Sequence, residues 1–254
     1  MHLLNQLDKP VIFAHRGASA SAPENTLAAF ELAVSLGAKA IELDTMLSRD
    51  GVPVVIHDHT LERTTNGLGL VGDHDHSDLI QLDAGSWFSE TYKGEKIPLL
   101  HEVLSRFSHK ILINIELKNY HAPNDTLTET VIKQVEELDV WDSVLFSSFL
   151  PRNLKQIQKH KREAKIALLC PSGITGWLFR SSIYKSLSPE IIHPAESDVD
   201  PKFIKREHNR ARRVHVWTVN NKAIARELFI DKVDGIFTDD PAAMLEVLRL
   251  LHPR

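Results

Sequence analysis

Five apolar runs of the sequence end in polar side chains whose types suit catalysis or ion binding. These ends are His15-Arg16, Glu42-x-Asp44, His57-Asp58, Glu116-x-Lys118 and Trp217-Thr218. In parallel α/β folds the carboxyl ends of the strands meet at one edge of the sheet, and active sites form there. We therefore expect these side chains to share one site.

The carboxylates in this set predict a site for a divalent cation. Glu42 and Asp44 are two residues apart and so lie on one face of a strand, and Glu116 ends another apolar run. Three carboxylates suit a hard, oxygen-seeking cation such as Mg²⁺ or Ca²⁺. The residues also leave open a salt-bridge network without metal, in which Arg16 and Lys118 neutralise the carboxylates.

The two histidines predict proton transfer in the same site. His15 and His57 can serve as general acid and general base near neutral pH. Arg16 and Lys118 add positive charge, and a guanidinium group matches the oxygens of a phosphate. Together these groups indicate phosphoryl or phosphodiester chemistry, which needs charge stabilisation and two proton transfers.

Two aromatic residues stand at strand ends as well. Phe149 and Trp217 each follow an apolar run directly. Such a position fits a place on the wall of a pocket as well as it fits packing in the core. Both are therefore candidates for substrate contact.

The spacing of the apolar runs predicts a parallel α/β fold, either a TIM (β/α)₈ barrel or a doubly wound sheet, formed by a single domain over residues 1–254. The number of strands favours the barrel. Nine short runs alternate mostly with helix-like stretches, where a barrel needs eight strands. The link from Asp44 to Pro53 is too short for a crossover helix. Residues 58–97 break the pattern and predict an inserted subdomain after the third strand. Near the first helix, Ser21 and Glu24 fit a capping box.

Composition narrows the class of partner. Thirty basic and 34 acidic residues give a net charge of −4 without a block of like charges, which argues against nucleic acid and against stable membrane association. A small-molecule substrate is expected, and no oligomeric state is predicted. Cys170 is the single cysteine, and the N-terminal residues lack the features of a signal peptide. We therefore expect a cytoplasmic protein, and this compartment favours Mg²⁺ over Ca²⁺.

The ordered motifs resemble one enzyme family almost from end to end. HRG, PENT, IELD, HD, IELK, SSF, WTVN and GIFTDDP occur in the order found in the glycerophosphodiester phosphodiesterases. The resemblance implies a TIM barrel that includes the segment VVIH as a strand, followed by a small insertion. It also implies metal-dependent hydrolysis of glycerophosphodiesters to sn-glycerol 3-phosphate and an alcohol.

The resemblance carries roles onto residues of this sequence. It implies that His15 and His57 are the acid and base, and that Arg16 and Lys118 hold the phosphate. It implies that Glu42, Asp44 and Glu116 are the metal ligands. Trp217 would line the glycerol side, and Phe149 matches the aromatic residue of the SF segment. Thr45 and the segment LSRDG depart from the usual pattern, but neither coincides with an implied ligand.

Three alternatives stay open beside this interpretation. Lys118 could form a Schiff base, as in barrel aldolases. The protein could be a sugar-phosphate-binding barrel without turnover. The same fold and metal could also serve a phospholipase D-type hydrolysis of lysophospholipids.

Overall fold

The computed structural model describes residues 1–173, 176 and 190–251, and its centre is a closed barrel. The strands in this part of the chain are β1 Val11–His15, β2 Ala40–Leu47, β3 Pro53–Val55, β4 Leu112–Leu117, β5 Val144–Ser148, β6 Lys165–Cys170, β7 Ile191–Pro194, β8 Arg213–Val216 and β9 Gly235–Thr238. All except β3 are parallel and follow the order β1-β9-β8-β7-β6-β5-β4-β2. Pairing of β1 with β2 closes the ring, so the predicted TIM barrel is confirmed.

The short strand β3 is not part of this ring. It pairs antiparallel with the end of β2, where Thr45 lies opposite Val55. The prediction that the segment VVIH forms a barrel strand is therefore wrong. Residues 48–52 are too few for a crossover helix and make a tight turn instead, in which Gly51 has a φ of 78°. The nine apolar runs thus become eight barrel strands and one hairpin strand.

The helices surround the barrel between its strands. Those whose bounds lie within the described residues are α1 Leu27–Ser35, α2 His76–Leu79, α3 Leu100–Phe107, α4 Leu127–Glu137, α5 Pro151–His160, α6 Pro201–Asn209, α7 Lys222–Ile230 and α8 Pro241–Leu251. None of the helices in this part of the chain is both long and apolar enough to cross a membrane.

The first helix begins later than the capping box predicted. Thr26 is its N-cap, and the Thr26 side chain accepts a hydrogen bond from the Ala29 N–H at 3.2 Å. The expectation that Ser21 caps this helix is wrong, because residues 21–25 form a loop at the mouth of the barrel. Glu24 is thereby free for another role.

Alternation along the barrel strands separates the apolar core from the polar site. Ile41, Leu43, Ile113 and Ile115 point outward and are completely buried beneath the helices. Burying one such side chain stabilises the fold by about 1.5–3 kcal/mol. The residues between them must point inward, which sets Glu42 beside Asn114 and Asp44 beside Glu116.

The irregular stretch at residues 58–97 has a small apolar cluster of its own. Leu61, Val71, Leu79, Ala84 and Ile97 are buried in it, together with residues of the β2–β3 hairpin. The Tyr92 hydroxyl also donates to the carbonyl of Ser21 at 2.9 Å, which joins this stretch to the β1–α1 loop. That residues 58–97 form a separate subdomain of one catalytic domain stays a prediction.

Candidate active site

The carboxyl ends of the barrel strands surround a pocket with about 510 Å³ of empty space. Of the site residues predicted from sequence, all but Asp44 line it. Asp44 lies just behind the wall, with 1% of its surface exposed. The fold therefore brings the predicted set together.

Three carboxylates form a compact acidic cluster at the base of this pocket. Glu42, Asp44 and Glu116 each offer an oxygen within 4.8 Å of the others. Burial, together with the negative charges of Asp44 and Glu116, raises the pKa of Glu42 well above its usual range. For Asp44, burial acts in the same direction, but Arg16 and Lys118 outweigh it and lower the pKa of its carboxyl group. Because the three carboxylates repel one another, the cluster is suited to binding a cation.

Two basic residues contact the acidic cluster. Arg16 Nε lies 3.2 Å from Asp44 Oδ2. Lys118 Nζ lies 3.5 Å from Asp44 Oδ1 and 3.5 Å from Glu116 Oε1. Two cations do not balance three ionised carboxylates, so a further cation would relieve the repulsion that adds to burial in raising the pKa of Glu42. The hard oxygen donors fit Mg²⁺ or Ca²⁺.

The same contacts argue against a Schiff-base role for Lys118. Burial disfavours the charged ammonium group, but the attraction of Asp44 and Glu116 is stronger and raises the pKa of Lys118. A nucleophilic lysine needs the opposite shift, since only the neutral amine attacks a carbonyl.

The two predicted catalytic histidines are each held by a carboxylate at Nδ1. His15 Nδ1 lies 2.6 Å from Asp239 Oδ1, and His57 Nδ1 lies 2.5 Å from Asp58 Oδ1. An ionised carboxylate only accepts hydrogen bonds, so Nδ1 carries the proton and Nε2 is the nitrogen available to a ligand. The arrangement prepares both rings for proton transfer.

The carboxylates that hold the histidines keep their negative charge. A hydrogen bond from Arg63 is the largest influence on Asp58 and, with that from His57, lowers its pKa to about 2. Burial opposes ionisation of Asp239, but hydrogen bonds from His15, Asn220 and Ser19 lower its pKa. The sequence analysis placed Asp58 among the strand-end groups but gave it no role, and it missed Asp239, which directly follows β9.

The β1–α1 loop supplies further polar contacts that the sequence did not assign. Glu24, which was expected in a capping box, accepts a hydrogen bond from Arg16 Nη1 at 2.9 Å. Asn25 Nδ2 donates to Asp44 Oδ2 at 2.9 Å. Arg16 and Asn25 both have a left-handed backbone, with φ of 56° and 58°. This uncommon conformation folds the loop over the acidic cluster.

Aromatic rings form one wall of the pocket. Phe149 and Trp217 both line it, with ring centroids 5.8 Å apart in an edge-to-face arrangement. Trp217 Nε1 donates to the carbonyl of His193 at 2.7 Å, which fixes the indole. The Tyr120 ring packs edge-to-face against Phe149, and the Tyr120 hydroxyl donates to Glu116 Oε1 at 2.8 Å.

Family comparison gives these features a chemical context. The sequence profile described as the glycerophosphoryl diester phosphodiesterase family matches residues 15–243, which run from His15 past Asp239. The chain belongs to the glycerophosphoryl diester phosphodiesterase family. As a member of this family it is an enzyme, a phosphoric diester hydrolase, which decides against a barrel that only binds its ligand.

Curated relatives match this family member over nearly their whole length. It is 37% identical over 242 residues to a glycerophosphodiester phosphodiesterase of Caldanaerobacter subterraneus subsp. tengcongensis, covering 95% of this chain and 98% of that one. It is also 37% identical over 243 residues to a glycerophosphodiester phosphodiesterase of Bacillus altitudinis, covering 93% and 97%.

A solved structure also resembles this family member. It is that of an Oleispira antarctica phosphodiesterase in complex with its product, sn-glycerol 3-phosphate. The TM-score is 0.85 at 32% identity, and the match covers 94% of this chain and 96% of that one.

Proposed function

We propose that the protein hydrolyses glycerophosphodiesters to sn-glycerol 3-phosphate and an alcohol with the help of a divalent metal. The observation that carries this proposal is the grouping of His15 and His57, each held at Nδ1 by a carboxylate, around the acidic cluster and two basic side chains. The product complex of the similar Oleispira antarctica enzyme supports the choice of substrate class.

The metal would be held by Glu42, Asp44 and Glu116. When bound, a divalent cation polarises a phosphoryl oxygen and stabilises the negative charge that develops there. We propose Mg²⁺ rather than Ca²⁺ and a cytoplasmic location. The presence of a single cysteine, the buried Cys170, is compatible with this location.

Arg16 and Lys118 would hold the phosphate. Both face the pocket and stay positively charged, because the attraction of neighbouring carboxylates outweighs the effect of burial and raises the pKa of each. Their charges offset those of the phosphate oxygens and of the transition state.

The two histidines would divide the proton transfers. In the proposed reaction one Nε2 atom takes the proton of the attacking oxygen, which belongs either to water or to the glycerol hydroxyl, as this oxygen bonds to phosphorus. The other Nε2 atom protonates the departing alcohol oxygen as its bond to phosphorus breaks. If the glycerol hydroxyl attacks, a water molecule then opens the resulting cyclic phosphate to give sn-glycerol 3-phosphate. Asp239 and Asp58 would keep each ring in the tautomer that this requires.

The aromatic wall would receive the carbon atoms of the glycerol group. Phe149 and Trp217 present apolar surface beside the polar half of the pocket. A site with one polar and one apolar side suits a small phosphorylated polyol.

The deciding experiment measures release of sn-glycerol 3-phosphate from glycerophosphocholine and glycerophosphoethanolamine. Protein stripped with a chelator is assayed alone and after separate addition of Mg²⁺, Ca²⁺ or Mn²⁺. We expect release only with metal, and highest with Mg²⁺. No release from folded protein with any metal would contradict the proposal, and release of choline from lysophosphatidylcholine alone would move the substrate to lysophospholipids.

A further inference from the structure

An arginine of the inserted stretch bridges two carboxylates of the site. Arg63 Nη1 and Nη2 donate to the two oxygens of Glu24 at 2.7 Å and 2.8 Å. Arg63 Nε donates to Asp58 Oδ2 at 2.5 Å. Three donors of one planar group thus hold two carboxylates from separate loops.

Each of these carboxylates also holds a residue of the pocket. Glu24 Oε1 accepts a hydrogen bond from Arg16 Nη1 at 2.9 Å, and Asp58 Oδ1 lies 2.5 Å from His57 Nδ1. A continuous series of hydrogen bonds therefore runs from Arg16 through Glu24, Arg63 and Asp58 to His57. Arg63 stands at its centre and does not line the pocket.

We propose that Arg63 is a positioning residue that sets the relative placement of Arg16 and His57, and thereby of the bound phosphate and a proton-transferring group. The proposal rests on the function proposed above for these two residues. It gives the insertion a part in the reaction, because Arg63 belongs to residues 58–97 and Glu24 to the β1–α1 loop.

The geometry explains why one arginine is needed. Asp58 and Glu24 can each rotate about several side-chain bonds, and the rigid guanidinium group fixes both at once. With Arg63 in place, only 13% of the Glu24 side chain is exposed. Without Arg63, the Glu24 carboxylate would keep its contact with Arg16 alone and would pull more strongly on it. Asp58 would at the same time lose the hydrogen bond from Arg63 Nε that holds its Oδ2 atom.

The test compares Arg63→Ala with wild type by kcat for glycerophosphocholine and by the inhibition constant of sn-glycerol 3-phosphate. Loss of a positioning contact costs about 10- to 100-fold in activity. We expect kcat to fall by that factor and the inhibition constant to rise. Arg63→Lys should recover part of the loss, because an ammonium group can contact one of the carboxylates at a time.

Chemical rescue separates positioning from a purely structural role. The Arg63 side chain is 43% exposed, so free guanidinium ion at low concentration can enter the space left in Arg63→Ala. We expect it to restore kcat. Arg49→Ala is the matched control, since Arg49 also makes a two-pronged contact, with Asp75 at 2.9 Å and 2.7 Å, away from the pocket. Its kcat and inhibition constant should equal those of wild type.

A double-mutant cycle completes the test. If Arg63 acts on His57 through Asp58, the variant carrying Arg63→Ala and Asp58→Asn should lose little more kcat than the more damaging single change. Full additivity, or unchanged kinetics in Arg63→Ala, would overturn the proposal. An inactive wild-type protein would instead refute the proposed function, so the two failures are distinct.

Discussion

His15 Nδ1 lies 2.6 Å from Oδ1 of Asp239, a residue 224 positions further along the chain. The contact exists because β1 and β9 are neighbours in the closed barrel, with Ala14 opposite Thr238. Asp239 also accepts a hydrogen bond from Ser19 at 3.1 Å and from Asn220 at 2.5 Å. The carboxylate is thus fixed on several sides and holds the histidine ring in one orientation.

Replacing His15 with alanine should remove one of the two proton-transferring groups. Each such group contributes about 10²- to 10⁴-fold to the rate, so we expect kcat to fall by a factor in that range. The measurement is the initial rate of sn-glycerol 3-phosphate release. An unchanged rate in a folded His15→Ala variant would remove His15 from the mechanism.

Asp239→Asn should reduce the rate without removing a reacting group. The amide can donate to Nδ1 and so favours the wrong tautomer of His15. We expect a loss of kcat with a smaller change in KM, and no further loss when Asp239→Asn is added to His15→Ala. Independent, multiplying effects of the two substitutions would argue against this pairing.

Glu42→Gln should stabilise the metal-free protein while weakening metal binding. The substitution removes a buried charge that Asp44 and Glu116 repel, but it also removes a ligand. A metal at 100 times its Kd stabilises wild type by about 2.7 kcal/mol. Thermal unfolding with and without Mg²⁺ should therefore show a higher Tm for the metal-free variant and a smaller rise on adding metal. Equal metal-induced shifts in both proteins would exclude Glu42 as a ligand.

Two buried histidines should make the protein sensitive to acid. His193 Nε2 lies 3.2 Å from His215 Nδ1. Burial lowers the pKa of His193 to about 3, and burial together with the neighbouring His193 lowers that of His215 well below its usual value. The unfolded chain binds these protons near pH 6.5, so the stability that the pair contributes is complete above that pH and is lost as the pH falls from about 6.5 towards 3.

Urea unfolding of wild type and His215→Leu between pH 6 and pH 4 checks this expectation. The variant should lose stability less steeply, by up to about 1.4 kcal/mol per pH unit. His109→Gln, which changes an exposed histidine, is the control and should keep the wild-type slope. Equal slopes in all three proteins would show that His215 takes up its proton at the same pH in the folded and unfolded states, which would contradict the lowered pKa.

Gly17→Ala should destabilise the protein through a direct clash. Gly17 has a φ of 85°, and a Cβ atom there would come within 2.6 Å of the Ala29 carbonyl carbon. Gly51 has a similar φ of 78° but open space around it, so Gly51→Ala measures the cost of backbone strain alone. Strained positions cost about 1–3 kcal/mol, and we expect Gly17→Ala to lower Tm clearly more than Gly51→Ala. Equal Tm values would refute the steric explanation.

Sequence patterns were sufficient to find most of the side chains that line the pocket, although not Leu169, His193 or Phe237. The alternation of Ile41, Glu42, Leu43 and Asp44 shows which residues of β2 point inward, because burial of the aliphatic residues allows only one orientation. Periodicity also predicted a barrel, since strands alternate with helices along most of the chain. The repeating pattern of apolar and polar residues is local in the sequence, so it can be recognised without knowledge of the fold.

The direction of β3 and the role of Glu24 needed the structure. Val54 and Val55 have the same apolar character in a parallel or an antiparallel strand, and only their pairing with β2 distinguishes the two. Glu24 fits a capping box by spacing, yet its carboxylate turns towards Arg16 and Arg63. In both cases the structure depends on a contact with a residue that lies outside the local sequence pattern.

By itself, then, the sequence determined the residue types at the strand ends and the alternation that turns them into one pocket. Only the tertiary structure decided which carboxylate holds which group, as with His15 and Asp239, or His57 and Arg63 through Asp58. The physical reason is that local periodicity specifies the face of a strand, whereas these hydrogen bonds depend on barrel closure and on loop conformation. Barrel closure brings together residues as distant in the chain as His15 and Asp239, whereas the loop conformation decides the contacts among His57, Asp58 and Arg63.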